Sequence, residues 1–297
     1  MKTKKLMTTA LIATGLVCAL PAVAASTLEK VAASNKITVS YREAAVPFSY
    51  LPGSDKAVGF SVDLTNAIVD DVRKKLKIPN LEVAAIPVTS QNRIPLLVDG
   101  TYDLECGSTT NNAARGKDVA FAISHFYAGT RLLAKKTAHI TSYADLAKKT
   151  VASTAGSTNE KVIRQYNADN HLDMQFVLGK DYGDALQLVE NDQAVALALD
   201  DILLFGLKAN AKNPDSLEVV GDALQVEPYG CMLRKDDPEF KALVDGTLAR
   251  LMKSGEFTRL YRKWFESPIP PKGMNLNMPM GAQLKANLSA LSDKPAQ

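Results

Sequence analysis

Short apolar or β-branched runs alternate along this chain with longer amphipathic stretches, and that alternation restricts its fold more than any other feature. Ile37 to Tyr41, Leu81 to Pro87, Tyr102 to Cys106, Thr150 to Ser153, Met174 to Leu178 and Ala194 to Leu199 read as strands. Between them, Ser61 to Leu76, Arg93 to Val98, Ser157 to Ala168, Tyr182 to Glu190 and Asp201 to Ala209 read as helices. Strand and helix in turn predict α/β layers with largely parallel sheets, and the length exceeds one typical core, which predicts two domains.

The N-terminus sets the compartment. Lys2, Lys4 and Lys5, the short apolar stretch Leu6 to Leu20 and the A-x-A site Ala22-Val23-Ala24 spell a secretory signal peptide over residues 1–24, with cleavage after Ala24 and a periplasmic mature protein. Cys18 follows Val17 rather than a small residue, so a lipid anchor is not expected, and no later segment is apolar for long enough to span a bilayer. The three leader lysines account for the whole excess of 35 Lys and Arg over 32 Asp and Glu. The mature chain is thus neutral, and its basic full-length balance gives no reason to expect nucleic acid. Cys18 leaves with the leader, so Cys106 and Cys231 remain in an oxidising compartment, either as two buried thiols or, as the even count favours, as a bridge.

Three arginines, Arg42, Arg93 and Arg115, lie in contexts rich in hydroxyl and amide residues, joined later by Asp200-Asp201. A guanidinium fork suits a carboxylate and a lone aspartate suits an ammonium, so the set predicts an amino-acid ligand with two carboxylates. In open α/β sheets ligands sit beyond the carboxyl ends of strands, and the polar clusters fall there. Thr89 to Arg93 follows one strand, Ser108 to Asn112 follows another with Arg115 a turn into a short helix, and Thr154-Ala155-Gly156 precedes a capping box of Ser157 and Glu160. Each helix start can hold an anion. Helix capping alone explains any one such segment; three with neighbouring Arg or Gly are harder to dismiss. Arg164, Arg234 and Arg250 read as solvated surface, and Arg131 as a hinge salt bridge.

Phosphate-loop, dinucleotide and nucleophile-elbow motifs are missing, His125, His139 and His171 lack metal-ligand spacing, and Asp103 with Glu105 do not read as an acid–base pair. Catalysis therefore has little support, Asp200 being the one strong carboxylate candidate, and neither a cofactor nor a metal is expected.

Tyr41 to Glu43 with Val46 to Tyr50, the run Ile86 to Leu97, Glu105 to Asn112, Gly129 to Leu133, Tyr229 to Pro238 and Pro268 to Lys272 together resemble the glutamate/aspartate-binding periplasmic proteins of bacterial ABC importers, over essentially the whole mature chain. The resemblance implies a two-lobed fold with two crossover strands near Ala128 and Pro228: residues 26–128 and 229–297 as the first lobe, 129–228 as the second, and both cysteines in the first. It implies hinge closure on L-glutamate or L-aspartate, docking on a membrane permease, and a monomer. It also implies roles. Arg115, Thr110 and the backbone near Thr158 would hold the α-carboxylate, Asp200 with Ser108 the ammonium, and Arg42, Arg93 and Ser90 the side-chain carboxylate. Three arginines against one aspartate would leave the cleft positive. Where Tyr182 stands the family usually has a histidine; a tyrosine that stays neutral predicts acidic-ligand affinity nearly flat from about pH 6 to 8, unless it only caps its helix or packs on the rim. An enzyme on the same fold, dehydratase-like, or a binding protein serving a sensory receptor remain alternatives.

Overall fold

The computed structural model describes residues 25–296; the signal peptide expected over residues 1–24 lies outside them. Helix α1 (Thr27–Ser34) opens on a reciprocal cap between Ser26 and Glu29. It is followed by β1 (Lys36–Tyr41), the small hairpin β2 (Ala44–Ala45) and β3 (Ser49–Tyr50), α2 (Phe60–Leu76), β4 (Glu82–Pro87), α3 (Arg93–Val98) and β5 (Val119–Phe121). The chain then runs through β6 (Phe126–Lys135), β7 (Thr150–Thr154), α4 (Thr158–Asn170), β8 (Gln175–Gly179), α5 (Tyr182–Glu190), β9 (Ala196–Asp200), α6 (Asp201–Asn210), β10 (Leu217–Val220) and β11 (Val226–Tyr229). It closes with β12 (Met232–Arg234), α7 (Pro238–Ser254), α8 (Glu256–Phe265) and α9 (Ala282–Ala290).

Two sheets result. In the first, β1 and β4 pair in parallel from Lys36 opposite Glu82 to Tyr41 opposite Pro87, and β12 pairs antiparallel with β5. The run Tyr102 to Cys106, expected as a strand, is not a regular one. It joins the two halves through single bridges, Val39 with Leu104 and Glu105 with Met232. The main chain bends at Gly107, where a Cβ would lie 2.2 Å from the Glu105 carboxylate, so a side chain there has no room. The second sheet has the order β10-β6-β9-β7-β8, with β7 parallel to both β8 and β9.

Strands β6 and β11 cross between the lobes and pair with each other, Tyr127 opposite Pro228 and Ala128 opposite Glu227. The two-lobed α/β architecture with two crossover strands is therefore what the chain adopts. Both strands are rooted in the first lobe. Phe126 and Tyr229 join Phe48, Phe60, Tyr261 and Phe265 in an aromatic cluster with ring centroids 4.2 to 6.4 Å apart. The amphipathic α8 supplies Phe257, Leu260, Tyr261, Trp264 and Phe265 to that core. A separate apolar cluster, including Leu132, Ile140, Val151, Ile163 and Ala198, fills the second lobe.

The sulfurs of Cys106 and Cys231 are bonded, with their Cα atoms 4.2 Å apart, which decides between bridge and free thiols. A closure of 125 residues removes about 5 kcal/mol of unfolded-chain entropy on the loop model.

Other expectations need correction. Among the described residues Arg131 makes no hinge salt bridge; its guanidinium turns toward the end of β10 and donates to the carbonyls of Gly221 and Val219. Arg164 and Arg250 are exposed, as expected of solvated surface, and form surface ion pairs, whereas Arg234 is partly buried. Arg164 pairs with Glu160 and lies over Phe176, Arg234 reaches Asp237 and the Ala25 carbonyl, and Arg250 pairs with Asp71. Among the described residues, no helix is long and apolar enough to cross a membrane.

Candidate ligand-binding cleft

Each site side chain leaves an element end that local chemistry fixes. Arg42 follows β1, and its backbone N–H donates to Ser49 Oγ at 2.8 Å. The loop after β4 is tied by a reciprocal pair, Thr89 N–H to Asn92 Oδ1 at 2.8 Å and Asn92 N–H to Thr89 Oγ1 at 3.2 Å, which presents Ser90 and opens α3 at Arg93. Pro95 sits in the first turn of that helix, where its missing N–H costs nothing. Across the cleft, Thr158 is the first residue of α4, Tyr182 the first of α5 and Asp200 the cap residue of α6.

Not every helix start survives. Ser157 caps α4 by accepting from the Glu160 N–H, but Glu160 bonds the Gly156 N–H instead of completing the box. The segment Ser108 to Asn112 leads into no regular helix. It is an irregular stretch bridged to β11 at Thr110 and Tyr229, and Arg115 begins a single 3₁₀ turn. Its Asn111 and Asn112 are instead claimed by the C-terminal tail, through Asp293 and Ala296.

The residues converge in three groups. In the first, Tyr182 is buried rather than on the rim. Its hydroxyl lies 3.2 Å from Arg42 Nη1, 3.1 Å from Ser108 Oγ and 3.4 Å from Ser90 Oγ, and the Arg42 guanidinium stacks 4.5 Å above its ring. Arg93, fully buried, donates to Thr109 Oγ1, which in turn donates to Glu105, and its Nε has no hydrogen-bond partner among the described residues. In the second, Thr110 and Thr158 bring their hydroxyls to 3.2 Å and both reach Glu227 Oε2, at 3.0 and 2.6 Å. Arg115, half-buried at the mouth, donates to the carbonyls of Thr110 and Gly156. In the third, Asp200 accepts from Asn159 Nδ2 at 2.8 Å and from the Tyr229 hydroxyl.

The charge balance of the cleft differs from the sequence count. Glu105 and Glu227 are buried there beside Asp200, so three carboxylates face the three arginines. The excess positive charge expected from one aspartate is absent. Burial pushes the Asp200 carboxyl up to about 7, against the lowering effect of Tyr229 and Asn159, with Glu227 and Asp201 adding to the rise. Burial depresses Arg115 to about 10, helped by repulsion from Arg93. Burial opposes ionisation of Tyr182, yet the charges of Arg42 and Arg93 outweigh it and leave this phenol below the ordinary tyrosine value. His125, buried behind the site, is driven down to about 4 by burial and in its neutral form donates Nε2–H to the Gly107 carbonyl at 2.9 Å, steadying the turn before Ser108.

Sequence reasoning missed Glu227, Thr109, Asn159 and Tyr229, and it set Glu105 aside. Glu227 carried a readable signal, an acidic residue between Val226 and Pro228 in a crossover segment, where burial of a charge demands a partner. The two lobes touch at backbone level: a Cβ on Gly156 would lie 2.8 Å from Gln91 Cα, and one on Gly206 of α6 would lie 2.3 Å from the Val46 carbonyl oxygen. This is a buried polar cleft built from side chains of both lobes. Residues 37–267 match the model of the bacterial extracellular solute-binding proteins, family 3.

The chain belongs to that family. It is 48% identical over 271 residues to the glutamate/aspartate import solute-binding protein of Escherichia coli K12, covering 91% of this chain and 90% of that one. It is 46% identical over 296 residues to the L-glutamate/L-aspartate-binding protein of Pseudomonas aeruginosa, covering 97% of each. Among solved structures it is similar to an ancestral amino acid-binding protein described as a precursor of cyclohexadienyl dehydratase, with a TM-score of 0.68 and 28% identity, over 80% of this chain and 99% of that one. These curated relatives are named as binding proteins, and this family member is a solute-binding protein rather than an enzyme.

Proposed function

We propose that this protein captures a single acidic amino acid, L-glutamate or L-aspartate, by closing its lobes around it, and delivers it to an ABC-type membrane permease from the periplasm. The observation that carries the reading is the convergence of Arg42, Arg93, Ser90 and Ser108 from one lobe with Tyr182 and Asp200 from the other around one buried polar cleft. Arg42 and Arg93, with Ser90, receive the side-chain carboxylate, and Tyr182 orients Arg42 for it. Arg115 and the free N–H groups at the start of α4, near Thr158, receive the α-carboxylate. Asp200 and Ser108 receive the ammonium. The lobes are residues 26–128 with 229–297, and residues 129–228, and the working unit is a monomer.

Closure is favoured only to the extent that a ligand touches both lobes, and this arrangement provides contacts on each. Titration of the mature protein by calorimetry with aspartate, glutamate, asparagine and glutamine tests the reading. Sub-millimolar, one-to-one binding of an acidic amino acid, with the amides weaker, is expected. Equal affinity for acids and amides, or no binding of either acid, overturns it.

A further inference from the structure

Glu227 has no part in the ligand assignments above, yet it is buried in the cleft wall on crossover strand β11 and touches residues of both lobes. Its Oε2 accepts from Thr110, in the first lobe, and from Thr158, in the second, while Oε1 accepts from Gln225 Nε2 at 2.6 Å. A carboxylate has only acceptors and a hydroxyl has one proton. Thr158 gives its proton to Glu227 at 2.6 Å; Thr110 gives its own either to Glu227 at 3.0 Å or to Thr158 at 3.2 Å. In either arrangement both protons are consumed inside the triad. The two hydroxyls can then offer only lone pairs to anything in the cleft.

We propose that Glu227 is a positioning residue that commits Thr110 and Thr158 to act as hydrogen-bond acceptors, and so makes this wall of the cleft selective for a ligand that carries an ammonium. The inference rests on the amino-acid reading above and refines it. The Thr110 hydroxyl does not donate to the α-carboxylate, which falls to Arg115 and the start of α4. The wall already includes Asp200, which faces Asn159 of α4, Tyr229 and Glu227 of β11 and the neighbouring Asp201 of α6. The side chains of Thr110, Thr158, Glu227 and Asp200 present acceptors and negative charge there, so a ligand lacking the amine leaves them unpaired, a strong form of discrimination at a buried polar site.

The test compares each amino acid with its deaminated counterpart, glutamate with glutarate and aspartate with succinate, measured by calorimetry and by competition at millimolar concentration. Glu227→Gln frees the threonine protons from a charged acceptor. It is expected to weaken both amino acids about ten- to a hundredfold, the range of a charge-assisted hydrogen bond, and to change glutarate and succinate less than about threefold. The pH midpoint of amino-acid binding should also fall, because a negative charge beside Asp200 is removed, an effect that a general loosening of the cleft would not produce. Thr110→Val supplies a second route that leaves Glu227 in place: it should penalise the amino acids and spare the diacids, whereas a hydroxyl donating to the α-carboxylate would make both suffer alike. Equal losses for amino acids and diacids in both variants, or unchanged affinity and unchanged midpoint in Glu227→Gln, overturn the role of Glu227. Failure of the unmodified protein to bind either amino acid would instead overturn the functional reading itself.

Discussion

Lowering the pH should weaken binding of aspartate and glutamate, and Asp200 is the reason. Its carboxyl stands at about 7 in the free protein because burial disfavours its charge, with Glu227 and Asp201 beside it and only Asn159 and Tyr229 to offset them. An ammonium seated against it favours the ionised form, so the bound-state value lies far lower and binding expels a proton below pH 7. The sign follows: affinity is full above pH 7 and is lost as pH falls through that value. A free-state value of 7 makes half the molecules competent at pH 7 and about one in eleven at pH 6, a loss of about fivefold for that step and about tenfold from pH 8 to 6. This replaces the flat profile expected from a neutral Tyr182. Calorimetry at pH 8, 7 and 6, each in two buffers of different ionisation enthalpy, measures both affinity and protons released, the latter approaching one at pH 6. Asp200→Asn cannot titrate; its affinity should be lower by about two to four decades, the cost of leaving an ammonium unpaired, and independent of pH. A flat profile in the unmodified protein without proton release, or an unchanged slope in Asp200→Asn, refutes the reasoning.

Replacing Arg42 or Arg93 by Ala should cost aspartate and glutamate about 3 to 5 kcal/mol while affecting glutamine much less, whereas Arg115→Ala should weaken all amino acids alike; titration with the four ligands separates the cases. At alkaline pH the ionised Tyr182 competes with the ligand carboxylate for Arg42, so affinity should decline below the ordinary tyrosine range, and Tyr182→Phe should abolish that decline in calorimetry from pH 8 to 10. Gly206→Ala should weaken binding of aspartate and glutamate in calorimetry, because its Cβ would lie 2.3 Å from the Val46 carbonyl oxygen and force apart the two lobes where they meet. Equal affinity in that variant would show that closure does not require this contact.

The fold was legible where periodicity is local. The boundaries of β1, α3 and α5 read from sequence lie within a residue of those observed, because each is set by local sequence, α5 also by its Asp181 cap. Tyr102 to Cys106 shows the limit. Its composition is that of a strand, but whether it forms a ladder depends on β1 and β12, which are remote in sequence. In the cleft, residue types were legible and their protonation and polarity were not. Arg42, Arg93 and Asp200 could be named from chemistry alone. That Tyr182 would be buried under a guanidinium, or that Glu227 would cancel part of the expected charge, required the second lobe to be placed against the first.

The disulfide makes the second lobe a covalent excursion from the first. Every residue from Gly107 to Gly230 lies inside the loop that Cys106 and Cys231 close, including Ser108, Thr110, Arg115, Thr158, Tyr182, Asp200 and Glu227, while Arg42, Ser90 and Arg93 lie outside it. A single backbone cut anywhere in that loop leaves one covalent molecule until the bridge is reduced. On the proposed division both cysteines belong to the first lobe, so the bridge does not span the cleft and places no restraint on opening. A protein exposed to proteases outside the cytoplasm could therefore be nicked on a second-lobe surface turn and keep all its cleft residues together on one particle, a state visible as a single band without reductant and as two with it.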